Sequence, residues 1–132
     1  MIKLEELPVV ALTSMNDMHL EEIQIINRLE AAAASSDLQA IETLLHELIS
    51  HTDAHLSHEE RMMEEKGFPV YAGHKAEHDR HRHELESVLT YFKEHQDPRA
   101  VSAYIEGSLS PWLLHHAKTM DTLTAQFLAS KS

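Results

Sequence analysis

The chain has 132 residues, enough for one hydrophobic core and too few for two ordinary domains, so a single domain over residues 1–132 is expected. It contains no cysteine, which excludes disulfides, zinc–thiolate sites and iron–sulfur clusters and leaves nitrogen and oxygen as the donors for any metal. Eleven basic against twenty-two acidic residues give a formal charge of -11, which disfavours nucleic acid and anionic lipid as partners.

No apolar run approaches the roughly 20 residues that span a bilayer, and the opening "MIKLEELPVVALTSM" lacks the apolar stretch of a secretory signal. A cytoplasmic protein is expected. Histidine is the anomaly. There are twelve, spread along the whole chain rather than gathered in a tag or tail, and that usage points to metal or proton chemistry.

Three glycines, four prolines and no period-two runs of β-branched residues predict an all-helical chain. The first helix is predicted over residues 13–34, where "SSD" ends it and Asp37 is placed to cap the second. The second runs to about Lys66 and stops at "KGFP", with Gly67 suited to the left-handed terminal position. The third covers Val70 to Glu94. Asp97 and Pro98 then open the fourth, which continues to about Ala129. Pro111 lies inside that last helix, lacks the N–H that would bond Gly107, and predicts a kink near "GSLSPW". Four helices joined by short turns predict an all-α, antiparallel up-down-up-down four-helix bundle.

At about 100° per residue, each predicted helix has one apolar stripe, and each stripe contains histidine. In the first helix Met15, Ile23, Ile26 and Ala33 surround His19, with Glu22 on the same side. In the second, Leu38, Ile41, Leu45, Leu48, Leu56 and Met63 form the stripe, and His55 and Glu59 fall inside it. His51 and His58 lie at its edge, while His46 and Glu60 point away. In the third, Leu85, Leu89 and Phe92 lead into His74, His78 and His81. The fourth stripe, Val101, Ile105, Leu109, Trp112, Met120, Leu123 and Phe127, contains His116.

A lone histidine in an apolar stripe is most often a hydrogen-bonded core residue. Glu59 changes that balance, because burying an unpaired carboxylate costs several kcal/mol and calls for a nearby cation. His-x-x-x-His at 74 and 78 adds the spacing that brings two imidazoles to one ion. Histidines in all four stripes predict a metal site in the bundle core, with His46, His51, His58, His83, His95 and His115 outside it.

The segments "NDMHLEEIQIINRL", "HLSHEERMMEEKGFP", "HKAEH" and "WLLHHAKTMD" together resemble the hemerythrin family over nearly the whole chain. The family pattern is one histidine in the first helix, His-x-x-x-Glu in the second, His-x-x-x-His in the third and His-x-x-x-x-Asp in the fourth. The resemblance implies a non-haem centre of two iron ions, oxo- or hydroxo-bridged. His74, His78 and His116 would bind one iron and His19 and His55 the other, with Glu59 and Asp121 bridging. It implies dioxygen, another small diatomic or peroxide as the ligand. Asp121 rests on the resemblance alone, since five residues after His116 it lies about 140° round an ideal helix. Reaching the site requires a widened turn or a favourable side-chain angle.

Against that family pattern, Trp112 and Leu113 match the usual pocket residues, whereas Leu56 replaces a phenylalanine, Ala117 an isoleucine, Glu22 a leucine and His81 an aromatic. The pocket is therefore expected to be more polar. Glu22 would supply protons or add a ligand to the open iron; its plain alternative is a glutamate at the surface edge in an ion pair. The leading functional reading is reversible dioxygen binding without turnover, for storage, delivery or sensing. The second is a stress protein that reacts with peroxide or nitric oxide or handles iron. A ferritin-like oxidase would need Glu-x-x-His pairs on two helices, and these are not found in the required places.

Overall fold

The structure, a computed structural model, describes residues 13–69 and 71–131. Four long helices account for nearly all of them: α1 Thr13–Ala34, α2 Leu38–Lys66, α3 Tyr71–His95 and α4, residues 98–131. Val70, the expected first residue of the third helix, lies outside the described residues. No helix among the described residues is long and apolar enough to cross a membrane.

The turns follow from local chemistry. Asp37 caps α2 by accepting from the Ala40 N–H at 3.1 Å, and Asp97 caps α4 by accepting from Arg99 at 3.0 Å, with Pro98 in the first turn. Gly67, at φ 69°, closes α2: its own N–H bonds Glu64 and that of Phe68 bonds Met63, so the last carbonyls are satisfied. The same pair of bonds closes α1, with Ser36 at φ 55° in the left-handed position that glycine normally takes.

Cross-helix pairs set the directions. Glu21 meets His51 and Arg28 meets Glu47; Asp53 meets Arg82 and Glu60 meets His78; His74 meets Thr124 and Glu77 meets Trp112. In each case rising numbers on one helix meet falling numbers on the next, so the fold is the expected antiparallel four-helix bundle. One half of it is packed with apolar side chains, including Ile26, Leu29, Ile41, Leu45, Leu48, Leu85, Phe92, Val101, Ile105 and Leu109. Each such side chain stabilises by roughly 1.5–3 kcal/mol when fully buried. In the other half the interior holds His19, His55, Glu59, His74, His78, His116 and Asp121.

The fourth helix departs from ideal geometry twice. Residues Ile105–Leu109 form a π-helical turn, with the Ser110 N–H bonding the Ile105 carbonyl. The disturbance expected from Pro111 is thus absorbed as a widened turn just before it, and helix continues on both sides. A second π-turn, Ala117–Asp121, follows. Each widened turn accommodates one extra residue and advances the inward face by one position. Past the first, Leu113 is buried where Trp112 was expected; past the second, Thr124, Ala125 and Leu128 are buried, while Leu123 is 61% exposed. Leu38, also expected in a core stripe, is 38% exposed, because it begins α2 at the end of the bundle.

Candidate metal centre

Within the polar half, α2 and α3 each present residues four apart on one face: His55 with Glu59, and His74 with His78. His19 faces them from α1, and His116 and Asp121 from α4. All seven side chains are buried. The π-turn at Ala117–Asp121 explains Asp121: a turn closed five residues apart stacks the aspartate over His116.

Two groups of ligand-type atoms form, each with its atoms within 4.8 Å of one another. One is Glu59, His74, His78, His116 and Asp121; the other is His19, His55 and Glu59. In the first, the Nε2 atoms of His74 and His78 lie 3.0 and 3.2 Å from that of His116. The two carboxylates divide their oxygens between the groups. Asp121 Oδ1 is 3.1 Å from His116 and 3.2 Å from His74, while Oδ2 is 3.1 Å from His19. Glu59 Oε2 is 2.5 Å from His55 Nε2, while Oε1 faces His74 and His78 at 3.7 and 3.6 Å.

The outer nitrogens show which lone pairs point inward. His78 Nδ1 donates to Glu60 at 3.0 Å and His55 Nδ1 to Glu22 at 2.9 Å. His74 Nδ1 donates to the Thr124 hydroxyl at 2.8 Å, and that hydroxyl turns toward the Met63 sulfur. With their protons outside, the imidazoles of His74 and His78 converge on His116 as acceptors. Protein hydrogen bonds do not satisfy such a convergence, and Glu59 Oε1 and Asp121 Oδ1 are likewise buried without a hydrogen-bond partner. A cation satisfies all of these atoms at once, and neutral imidazole with carboxylate is a donor set that suits iron.

The electrostatics agree. Burial, together with the neighbouring charges of His74 and His116, pushes the His78 imidazole down to about 2, so it stays in the neutral, metal-ligating form. Burial alone would raise the Asp121 carboxyl, but the imidazoles of His116, His19 and His74 set against its oxygens outweigh it and hold the group well below its usual value. Burial raises Glu59, and the adjacent Asp121 charge raises it further.

Among the expected pocket residues, Glu22 bonds His55 of the second group and Trp112 stacks on His116 of the first. Leu56, Leu113 and Ala117 are buried and apolar. Trp112 is sandwiched between His81 and His116, with ring centroids 3.9 and 4.6 Å away, and its indole N–H donates to Glu77. His81 is buried, and its Nε2 has no hydrogen-bond partner. Glu22 is 2% exposed, which overturns the surface-edge reading, and it stands behind His55 on the ring's outer nitrogen.

Glu60 requires the same correction. Expected to face water, it is 9% exposed and bound to His78 and Arg82, because the side of α2 that leaves the core faces α3 rather than solvent. Thr124 and Arg82 also escaped the sequence reading. Thr124 is displaced from its expected phase by the π-turn, and Arg82 reads as an ordinary surface charge. The six histidines left outside the site are all absent from both groups. His51 binds Glu21 at 3.0 Å, and His46, His83, His95 and His115 are exposed.

Fold and site together define a class: helical bundles that hold cations in their core on histidine and carboxylate. The family model for the hemerythrin HHE cation binding domain matches residues 10–128, and the chain belongs to that family. It is similar to a bacteriohemerythrin of Aquifex aeolicus, 33% identical over 114 residues that make up 86% of this chain and 87% of that protein. A bacteriohemerythrin of Methylococcus capsulatus is 28% identical over 117 residues, 87% of this chain and 86% of its own. A wild-type hemerythrin crystal structure superposes with a TM-score of 0.83 at 23% identity, covering 98% of this chain and 97% of that one, which establishes the same fold.

Proposed function

We propose that the chain holds two iron ions in its core and binds dioxygen reversibly, as a carrier, store or sensor in the cytoplasm rather than an enzyme. His74, His78 and His116 hold one ion, His19 and His55 the other, and Glu59 and Asp121 serve both. The observation that carries this reading is the division of each carboxylate's two oxygens between the two histidine groups. A pair of ferrous ions supplies the electrons that dioxygen needs to be held reversibly. The chain's own residues do the rest. Glu22, Thr124 and Glu60 fix the tautomers of His55, His74 and His78, and Leu56, Leu113 and Ala117 keep their side of the pocket apolar and dry. His55 has no second histidine on its helix or on α3 within its group, so the ion it shares with His19 has fewer protein ligands and room for a small molecule.

One observation favours a second reading, reaction with peroxide or nitric oxide. A typical apolar pocket delivers no protons, whereas this one is bordered by the buried pair Glu22 and His81. The test is to load the full chain with ferrous iron without oxygen, count the metal, admit oxygen and follow the visible spectrum. Two irons per chain and a band that disappears under vacuum are expected. Immediate, irreversible oxidation supports the reactive alternative, and uptake of one iron or none overturns both.

A further inference from the structure

Arg82 lies on α3 at the seam with α2, one turn beyond His78, and its side chain is 21% exposed. A guanidinium has five N–H donors in a fixed plane. Here five hydrogen bonds use them. Nη1 and Nη2 reach the two oxygens of Glu60 at 2.8 and 3.1 Å, making a two-point fork. Nη1 also reaches Asp79 at 2.8 Å, Nη2 reaches Ser57 at 3.3 Å and Nε reaches Asp53 at 3.1 Å. Such a fully engaged fork has one orientation. It presents Glu60 with its Oε2 directed at His78 Nδ1, 3.0 Å away.

No other imidazole of the site is backed in this way. His19 and His116 have buried Nδ1 atoms with no hydrogen-bond partner, and His74 is held by the neutral Thr124 hydroxyl. His55 has the Glu22 carboxylate behind it. The charges that weigh most on Glu22 are those of His55, His81 and His19.

We propose that Arg82 is a positioning residue for the metal centre, acting through Glu60 to fix the ring angle and Nδ1–H tautomer of His78. The two-point fork leaves Glu60 Oε2 one direction in which to accept from His78, so the Nδ1–H is held on the outer side of the ring and Nε2 faces the site. The anchor points Asp53, Ser57 and Asp79 set the fork, and through it a surface network aims a buried ligand.

This inference rests on the metal-centre reading, and the experiment separates the two. The full chain and its Arg82→Met, Arg82→Lys, Glu60→Gln and Arg82→Met/Glu60→Gln forms are loaded anaerobically with ferrous iron and challenged with a chelator. Arg82→Met is expected to release iron at least about tenfold faster, the scale on which partners of a ligating histidine act. Arg82→Lys keeps the charge but loses the fork and should fall between. In the Glu60→Gln background the Arg82 substitution should add little, because its route to His78 is already cut. Arg28→Met, which removes an exposed ion pair with Glu47 away from this network, should leave release unchanged.

Nitrogen NMR of the metal-free protein gives a readout that general destabilisation does not move. His78 should be a uniform Nδ1–H tautomer in the wild type and a mixture in Arg82→Met. Wild-type release in Arg82→Met, or its full effect persisting in the Glu60→Gln background, overturns the proposal. If Arg82→Met does not fold, Arg82→Lys carries the same comparison. Failure of the wild type to take up iron overturns the metal reading itself.

Discussion

Glu22 illustrates how one side chain's surroundings decide which substitution is informative. Burial alone would raise its carboxyl, but the hydrogen bond and charge of His55, with the charges of His81 and His19, outweigh it and leave the group below its usual value. It therefore supports His55 as well as standing near the pocket. Replacing it with leucine removes both roles. His55 Nδ1 would be left buried without an acceptor, at a cost of about 1–3 kcal/mol, and Glu22→Leu is expected to retain iron poorly. Glu22→Gln keeps an oxygen for His55 but cannot take up a proton and pass it on. If Glu22 relays protons to the pocket, that variant should hold iron normally and lose its oxygenated spectrum about tenfold more slowly than wild type, a modest share of what a positioned proton-transfer group contributes. An unchanged rate with full iron content would remove Glu22 from proton delivery.

At the level of the helices, the sequence was legible wherever one residue controls one turn. Asp37, Gly67, Asp97 and Pro98 each stand where the structure begins or ends a helix. It was not legible where the helix changes pitch, and Asp121 and Leu123 are two consequences of that single fact. A wheel with a constant angle loses phase at Ala117–Asp121. It therefore turns Leu123 inward and Asp121 aside, the reverse of what is found. Glu60 was misplaced for a different reason: a wheel centred on the core has no neighbouring helix on its flank. The widened turn also makes a prediction. Thr119 is exposed and its hydroxyl binds only the His115 carbonyl, so deleting it lets the turn close as ordinary α-helix. His116 and Asp121 would then stand four apart, still on one face, and Thr124, Ala125 and Leu128 would keep their inward phase. Iron should be retained, and the metal-free protein should melt a few degrees higher as the irregular turn is relieved. Loss of iron would mean that the wide turn itself aims the carboxylate.

Across the whole molecule, the two halves of the bundle are stabilised by different physics. The half containing Leu29, Leu45, Leu48, Phe92 and Ile105 is apolar and needs nothing added. In the other half, a small cluster of Met15 and Ala125 lies apart from the main core, and the space between is filled by imidazoles and carboxylates. Without a cation, those groups must be kept from water by each other, with Glu59 and Asp121 as adjacent buried carboxylates and three imidazole nitrogens in contact. An ion that binds only the folded arrangement stabilises it in proportion to the logarithm of its concentration over its dissociation constant. Iron should therefore act mainly on the polar half. Hydrogen exchange on the iron-loaded and metal-free chain checks this directly. On metal removal, amides in residues 55–63, 74–78 and 116–128 should exchange at least about tenfold faster, while those in 26–48 and 85–105 change little. Such a division would mean that the apolar half folds as a scaffold and the metal completes the rest. Uniform loss of protection along all four helices would mean instead that the bundle opens as one unit and that the ion stabilises every layer alike.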